Sequence, residues 1–399
     1  MKQNFTIRKR VYLMPIILLL GLLLFMVTKQ FMADFYWKMA QQHEKEPNQI
    51  IGYLEKSNAI EGKNSLFHFS LGRAYLHKGL TDVTKISEKN QWIRRSINEF
   101  QKAINLEPVN SDYHFHLGIS YGSLAYPPHF YWKVIQNSFK RTAILNPTEI
   151  RHLDSIGIYY LNEYNRLINI SRDTSDLRLE KYVAMSRKNY QFYFRKLLEV
   201  NEEYLGKILA RCFAGTQQHS DLRGVIRDTP SDHAFLAHFL NKKGMWEEAK
   251  KEYKEAINLE PINPNHYSKL AYALFRRGDY RNAIYWWQKQ KALDPQDDNP
   301  YLCSVNGFMK LKRFDEALRE LRDLMVLYPQ NINYQVKLIR ILLAARRVDE
   351  AIHEYHKIMG NDPHFSKTMY DTILRYQRKG DYRKATRILN DALLSALNR

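Results

Sequence analysis

The chain has 399 residues, 45% of them hydrophobic, with only 16 glycines and 13 prolines, which excludes a disordered polymer and leaves little material for turn-rich β architecture. A formal net charge of +19 admits three kinds of partner, nucleic acid, anionic lipid and acidic protein or polymer segments, without choosing among them. The two cysteines, Cys212 and Cys303, stand too far apart for a Cys-x-x-Cys redox or zinc unit. They read as two buried free thiols, the alternative being one long-range disulfide in an oxidising compartment.

Residues 1–10 form a basic tail with Lys2, Arg8, Lys9 and Arg10. Residues 11–33 follow as an apolar segment, and no side chain from Val11 to Thr28 is charged. As a helix, that uncharged run covers about 27 Å, close to the hydrocarbon thickness of a bilayer. Pro15 falls in the first turn, where its missing N–H costs little. Phe35, Tyr36 and Trp37 come just after the span, at the level where aromatic rings favour the interface. A single transmembrane anchor, with membrane lipid as its partner, is the expectation. A cleaved signal peptide is the rival, but the apolar run is longer than an ordinary h-region. Phe31-Met32-Ala33 also breaks the small-x-small rule for cleavage. The basic tail puts the N-terminus in the cytoplasm, so the soluble part is expected to be extracytoplasmic, and periplasmic in a bacterium.

Residues 34–64 read as a helical lead-in. Over 65–148 a spaced pattern occurs twice. It runs Leu71-Gly72-x2-Tyr75, then Ser96-x3-Phe100-x2-Ala103, and closes on Pro108. The second copy opens with Leu117-Gly118-x2-Tyr121 and resumes at Phe139, Ala143 and Pro147. The delay between the halves predicts longer turns, with Tyr126-Pro127-Pro128 marking one bend. Residues 149–229 are helical in pattern without the period. Ile156-Gly157-x2-Tyr160 opens a decayed copy, and Tyr182 to Leu205 reads as one long amphipathic helix.

From residue 230 onward the period is regular. Ala249, Ala283, Ala317, Ala351 and Ala385 stand 34 residues apart, and Pro261, Pro295, Pro329 and Pro363 each follow an alanine by twelve. A small residue is needed where two antiparallel helices cross closely, and a proline ends the second helix. Gly244, Gly278 and Gly380 punctuate the turn between helices in three of the five units.

These residues resemble the tetratricopeptide repeat, with five regular copies over 230–399 and two divergent ones over 65–148. The resemblance implies an all-α chain, a TPR-type α-α superhelix, and the apolar segment places one transmembrane helix before it. The resemblance also implies a protein that works by holding protein partners. In this family the first helices of successive repeats line the concave groove. That nominates His238, Asn241 and Lys242; Tyr272, Phe275 and Arg276; Asn306, Met309 and Lys310; Asn333, Lys337 and Arg340; and Tyr370, Gln377 and Arg378. Lys242, Arg276, Lys310 and Arg378 share one register, and Ala344 breaks their row. Such a row suits a peptide with acidic side chains or a free C-terminal carboxylate. Some relatives hold carboxylates with a set of basic and amide residues; Asn306 matches one member, and the rest of the set is not evident.

No His-Glu-x-x-His, Gly-x-Ser-x-Gly, phosphate-cradling glycine loop or calcium loop occurs, so no enzyme, cofactor or metal is expected. His353-x2-His356 shares a helical face but reads as exposed surface, and His114 and His116 as packing or surface residues. Nucleic acid is disfavoured, since basic residues are interspersed with acids, as in Arg346-Arg347 before Asp349-Glu350, and the anchor exports the domain. The expected function is a membrane-anchored scaffold or adaptor in cell-envelope or secretion assembly. Its rivals are an accessory subunit of an envelope glycan or polymer synthesis or export complex, and an organelle import receptor.

Overall fold

The computed structural model describes residues 2–42, 46–124, 130–171, 177–359 and 367–381, together with 383–384, 387–388 and 391. Side chains at 2–16, 177–178, 356, 358–359, 367–370, 374 and 377 lie outside the description. The described residues are helical, without strands, and fall into two compact units, 1–225 and 226–399.

The first unit begins with α1 (Lys2–Gln42), whose two parts meet different surroundings. Every side chain from 17 to 32 is exposed, although most are apolar. From Ala33 the same helix packs against α2 (Pro47–Ile60): Ala33 and Ala40 are buried, and the Ser57 hydroxyl donates to the Ala33 carbonyl at 2.9 Å. The lead-in is therefore a helix pair, whose first member continues the apolar segment without a break. By length and composition α1 can cross a membrane.

Helices α3 (Ser65–Thr81) and α4 (Ile86–Leu106) form the next pair, followed by α5 (Ser111–Ser123) with α6 (Trp132–Leu145) and α7 (Ile150–Ser171) with α8 (Leu177–Val200). One contact recurs in all three. A Cβ at Gly72 would stand 2.7 Å from Phe100, at Gly118 2.6 Å from Phe139, and at Gly157 2.4 Å from Phe194. Only a residue without a side chain lets the aromatic ring of the second helix lie on the first. Residues 150–200 thus repeat the packing of the two pairs before them. Ser96 is fully buried where a small residue is required, and its hydroxyl bonds the Ile93 carbonyl and Ser120 at 2.8 and 3.1 Å.

Two expectations are corrected here. The inserted residues between Tyr75 and Ser96 lengthen the helices rather than the turn, which is only residues 82–85. The long helix expected to reach Leu205 stops at Val200. There the Asn201 carboxamide accepts from the Glu203 N–H at 2.9 Å and caps a 3-10 turn, Glu202–Tyr204. Helices α9 (Leu205–Thr216) and α10 (His219–Val225) complete the unit. The bend at Tyr126-Pro127-Pro128 lies outside the described residues. His116 is folded among Phe69, Phe100 and Phe115, with burial pushing its imidazole down to about 4.

In the second unit the pairs are α11 (Pro230–Lys242) with α12 (Trp246–Leu259), α13 (Pro264–Arg276) with α14 (Tyr280–Leu293), α15 (Asn299–Lys310) with α16 (Phe314–Leu327), and α17 (Ile332–Ala344) with α18 (Val348–Met359). Helix α19 (Lys367–Arg378) follows. Thr229, Asn263 and Asn331 cap α11, α13 and α17 by accepting from backbone N–H groups two or three residues on. Ala249, Ala283, Ala317 and Ala351 are all 0% exposed. So, to within 2%, are Tyr253, Trp287, Leu321 and Tyr355, each four residues later. This small-then-large pair, one turn apart, is the repeated lock between helices. Ala385 and Pro363 lie outside the described residues. Both cysteines are buried and free.

Candidate functional site

The first helices α11, α13, α15 and α17 expose one face each, and hydrogen bonds tie neighbours together. From α13, Tyr272 Oη donates to Asn299 Oδ1 on α15 at 3.1 Å and lies 3.0 Å from Cys303 Sγ, whose thiol also donates to Asn299 at 3.1 Å. Tyr334 of α17 donates to Asp298 at the start of α15. Tyr272 remains 42% exposed despite these bonds, so its ring is held in a fixed position at the surface.

The structure leaves most nominated residues in solvent. His238, Lys242, Tyr272, Arg276, Asn306, Lys310, Asn333, Arg340 and Arg378 are exposed, and Asn241, Phe275, Met309 and Lys337 are half-buried. Tyr370 and Gln377 belong to α19, and their side chains lie outside the description. Phe275 and Met309 are shared with the core: the Phe275 ring sits 5.1 Å from Tyr280 and 5.5 Å from Trp287, and Met309 packs against the cluster beneath α15 and α17.

Cations dominate this face. Lys242, Arg276, Lys310, Lys337 and Arg340 make no ion pair among the described residues. The second helices and their approach turns differ. Lys250 meets Glu247 at 2.7 Å, and Lys291–Glu320, Arg347–Asp315 and Lys357–Glu354 each close at 2.9 Å. Lys251 and Lys254 are unpaired there too, so the contrast is one of degree.

Burial pushes the Lys337 ammonium below its ordinary value, opposed by the neighbouring Cys303. Burial, then Lys242 and Lys269, holds the His238 imidazole below its ordinary value. Tyr272 is raised to about 12, mainly by burial and then by its bond to Cys303. An anion brought beside Lys337 would stabilise its desolvated ammonium. No group of three or more potential metal ligands occurs among the described residues.

Asn299, Cys303 and Lys269 escaped the sequence reading. The signal was present in the register: Asn299 lies 34 residues before Asn333, and Cys303 and Lys269 lie 34 and 68 before Lys337. Cys303 was hidden because a buried thiol satisfies the core pattern equally well.

Residues 238–278 match the TPR repeat family. Among solved structures, a tetratricopeptide repeat protein from Parabacteroides merdae is similar at 13% identity, with 78% of this chain and 99% of that one covered and a TM-score of 0.32. MamA from Desulfovibrio magneticus RS-1 is similar at 20% identity over 42% and 94%, TM-score 0.31. The first TPR of Spaghetti (RPAP3), bound to the HSP90 peptide SRMEEVD, is similar at 21% over 29% and 95%, TM-score 0.26. No protein of curated function matches the chain. Helix pairs of the TPR type make this an all-α chain suited to protein–protein interaction.

Proposed function

We propose that the chain is a membrane-anchored scaffold of cell-envelope or secretion assembly. It holds an acidic segment, or a free C-terminal carboxylate, of a protein partner on the first-helix face of residues 230–378. In this reading residues 1–10 lie in the cytoplasm, residues 11–33 cross the bilayer and the helix pairs lie outside. The observation that carries it is the row of unpaired first-helix cations beside the fixed ring of Tyr272. Charge left without carboxylates on one face is charge available to a ligand.

Support for a retained anchor comes from α1 itself. Its exposed apolar stretch would be costly in water, and its continuation supplies Ala33 and Ala40 to the first helix pair. Removing the segment at Ala33 would also remove the acceptor of the Ser57 hydroxyl.

The test is binding of a labelled acidic peptide with a free C-terminus to the full chain in neutral detergent. Arg276→Gln, Lys310→Gln and Arg378→Gln together should weaken it about tenfold to a thousandfold, and flatten its salt dependence. Gln replacements at Lys250, Lys251 and Lys254 should do much less. Equal losses from the two triples would assign the attraction to net charge and refute the face.

A further inference from the structure

Away from the first-helix face, the first unit holds a separate cleft of about 730 Å³ among the end of α7, the middle of α8 and α10. Arg187, Gln191 and Arg195 stand four residues apart on α8 and form one stripe, about 12 Å from first to last. Helix α10 comes close because residue 224 is glycine: a Cβ there would stand 2.0 Å from Gln191 Nε2.

Arg187 is held from below. Its Nε lies 2.6 Å from Asp221, a fully buried carboxylate, and its Nη2 donates to Ser220 Oγ at 2.8 Å. Asp221 also accepts from the Tyr164 hydroxyl at 3.1 Å; it both orients Arg187 and offsets part of its charge, so the free cations of the cleft are Lys188 and Arg195. Among the described residues the lining carries Arg187, Lys188, Arg195 and Arg223, with the carboxylate of Glu180. Lys188 and Arg195 are exposed, and no carboxylate among the described residues pairs with either.

We propose that this cleft binds phosphoryl groups, two or more in series, with Arg187 and Arg195 at the two ends of the stripe and Gln191 between them. Guanidinium forks, an ammonium, an amide and a hydroxyl are all donors, and Val183 and Ala184 are the aliphatic side chains of the described lining. A phosphoryl group brings more charge and more acceptor oxygens than a carboxylate, which is what a donor-rich, cation-rich cleft rewards. The site is independent of the first-helix face and does not rest on the reading given for it.

The test is calorimetric titration of the full chain, in neutral detergent, with sodium tripolyphosphate. Lys188→Gln with Arg195→Gln, both at exposed positions, should raise Kd at least about tenfold. Gly224→Ala should raise it about threefold by displacing the flexible Gln191 amide, and Lys250→Gln with Lys254→Gln should leave it unchanged. Unaltered circular dichroism of each variant confines the effect to the cleft. Competition by phosphatidylglycerol nanodiscs places the phosphoryl on a lipid headgroup, and lack of competition places it on a soluble molecule. No binding of tripolyphosphate, equal losses in the Lys250 and Lys254 control, or equal affinity for an octa-aspartate peptide would each overturn the proposal.

Discussion

Gly278→Ala and Lys312→Gly should shift local stability in opposite directions, although both alter the same kind of turn. Gly244, Gly278 and Gly380 adopt φ of +82°, +85° and +75°, and Lys312 and Arg346, in the same 34-residue register, adopt +58° and +64°. All five turns are therefore left-handed, and two carry a side chain in a conformation that costs an L-residue about 1–2 kcal/mol. No atom lies within 4 Å of a Cβ built at Gly278, so the change to alanine acts on the backbone alone. The strain is offset by the smaller entropy of the unfolded alanine chain, roughly 0.4–1 kcal/mol, leaving a net loss of about 1 kcal/mol. Lys312→Gly relieves the strain and gives back the entropy, a gain of up to about 1 kcal/mol. Global unfolding is a poor readout in a repeat array, where stability passes between neighbours. Hydrogen exchange resolves it: amides of α13 and α14 should lose protection about fivefold in Gly278→Ala, while those of α15 and α16 hold or gain in Lys312→Gly. Equal losses in both variants would show that the two turns differ in conformation and would refute the common register.

Ala317→Arg forces a long charged side chain into a contact that is 0% exposed, at a cost of about 2–4 kcal/mol, and exchange should rise first between Pro295 and Pro329. The first unit should show a pH window. His68 Nδ1 lies 2.6 Å from Glu99, a bond that holds the imidazole above its ordinary 6.5 against the opposing effect of burial. Burial works to raise Glu99, but His68 and Lys102 outweigh it and hold the carboxyl below its ordinary 4.5. The His68 contribution is fully present below 6.5 and fades as pH rises through the raised value. The Glu99 contribution is present above 4.5 and fades as pH falls through the lowered one. Burial of His116 works the other way, costing stability as pH falls from 6.5 towards its lowered value of about 4, so the pair is read by difference. The stability that His68 adds over His68→Gln, measured by hydrogen exchange in α3 and α4, should be largest below pH 6.5 and shrink as pH rises above it.

What was legible in the sequence was whatever recurs. Ala249 to Ala351 and the aromatic or leucine four residues on announce the helix lock, because a close crossing admits few residue types. Gly72, Gly118 and Gly157 announce the first-unit pairs in the same way, yet Gly157 was harder to credit since its partner Phe194 comes 37 residues later, against 28 for Phe100 and 21 for Phe139. Intervals of that kind depend on helix length, which a period search does not see. The turns at Lys312 and Arg346 were hidden because the backbone there is fixed by its neighbours and not by its own residue. The cleft on α8 was hidden for another reason: Arg187 and Ser220 come together only through tertiary packing.

The most direct test of the scaffold account is photocrosslinking in native membranes with a reactive amino acid at Tyr272 on the first-helix face, compared with Tyr285, which is 53% exposed on the second helix α14. The account predicts a discrete protein adduct from position 272, diminished by the Arg276, Lys310 and Arg378 replacements and absent from position 285. The same adducts from both positions, or one from 285 alone, would contradict it.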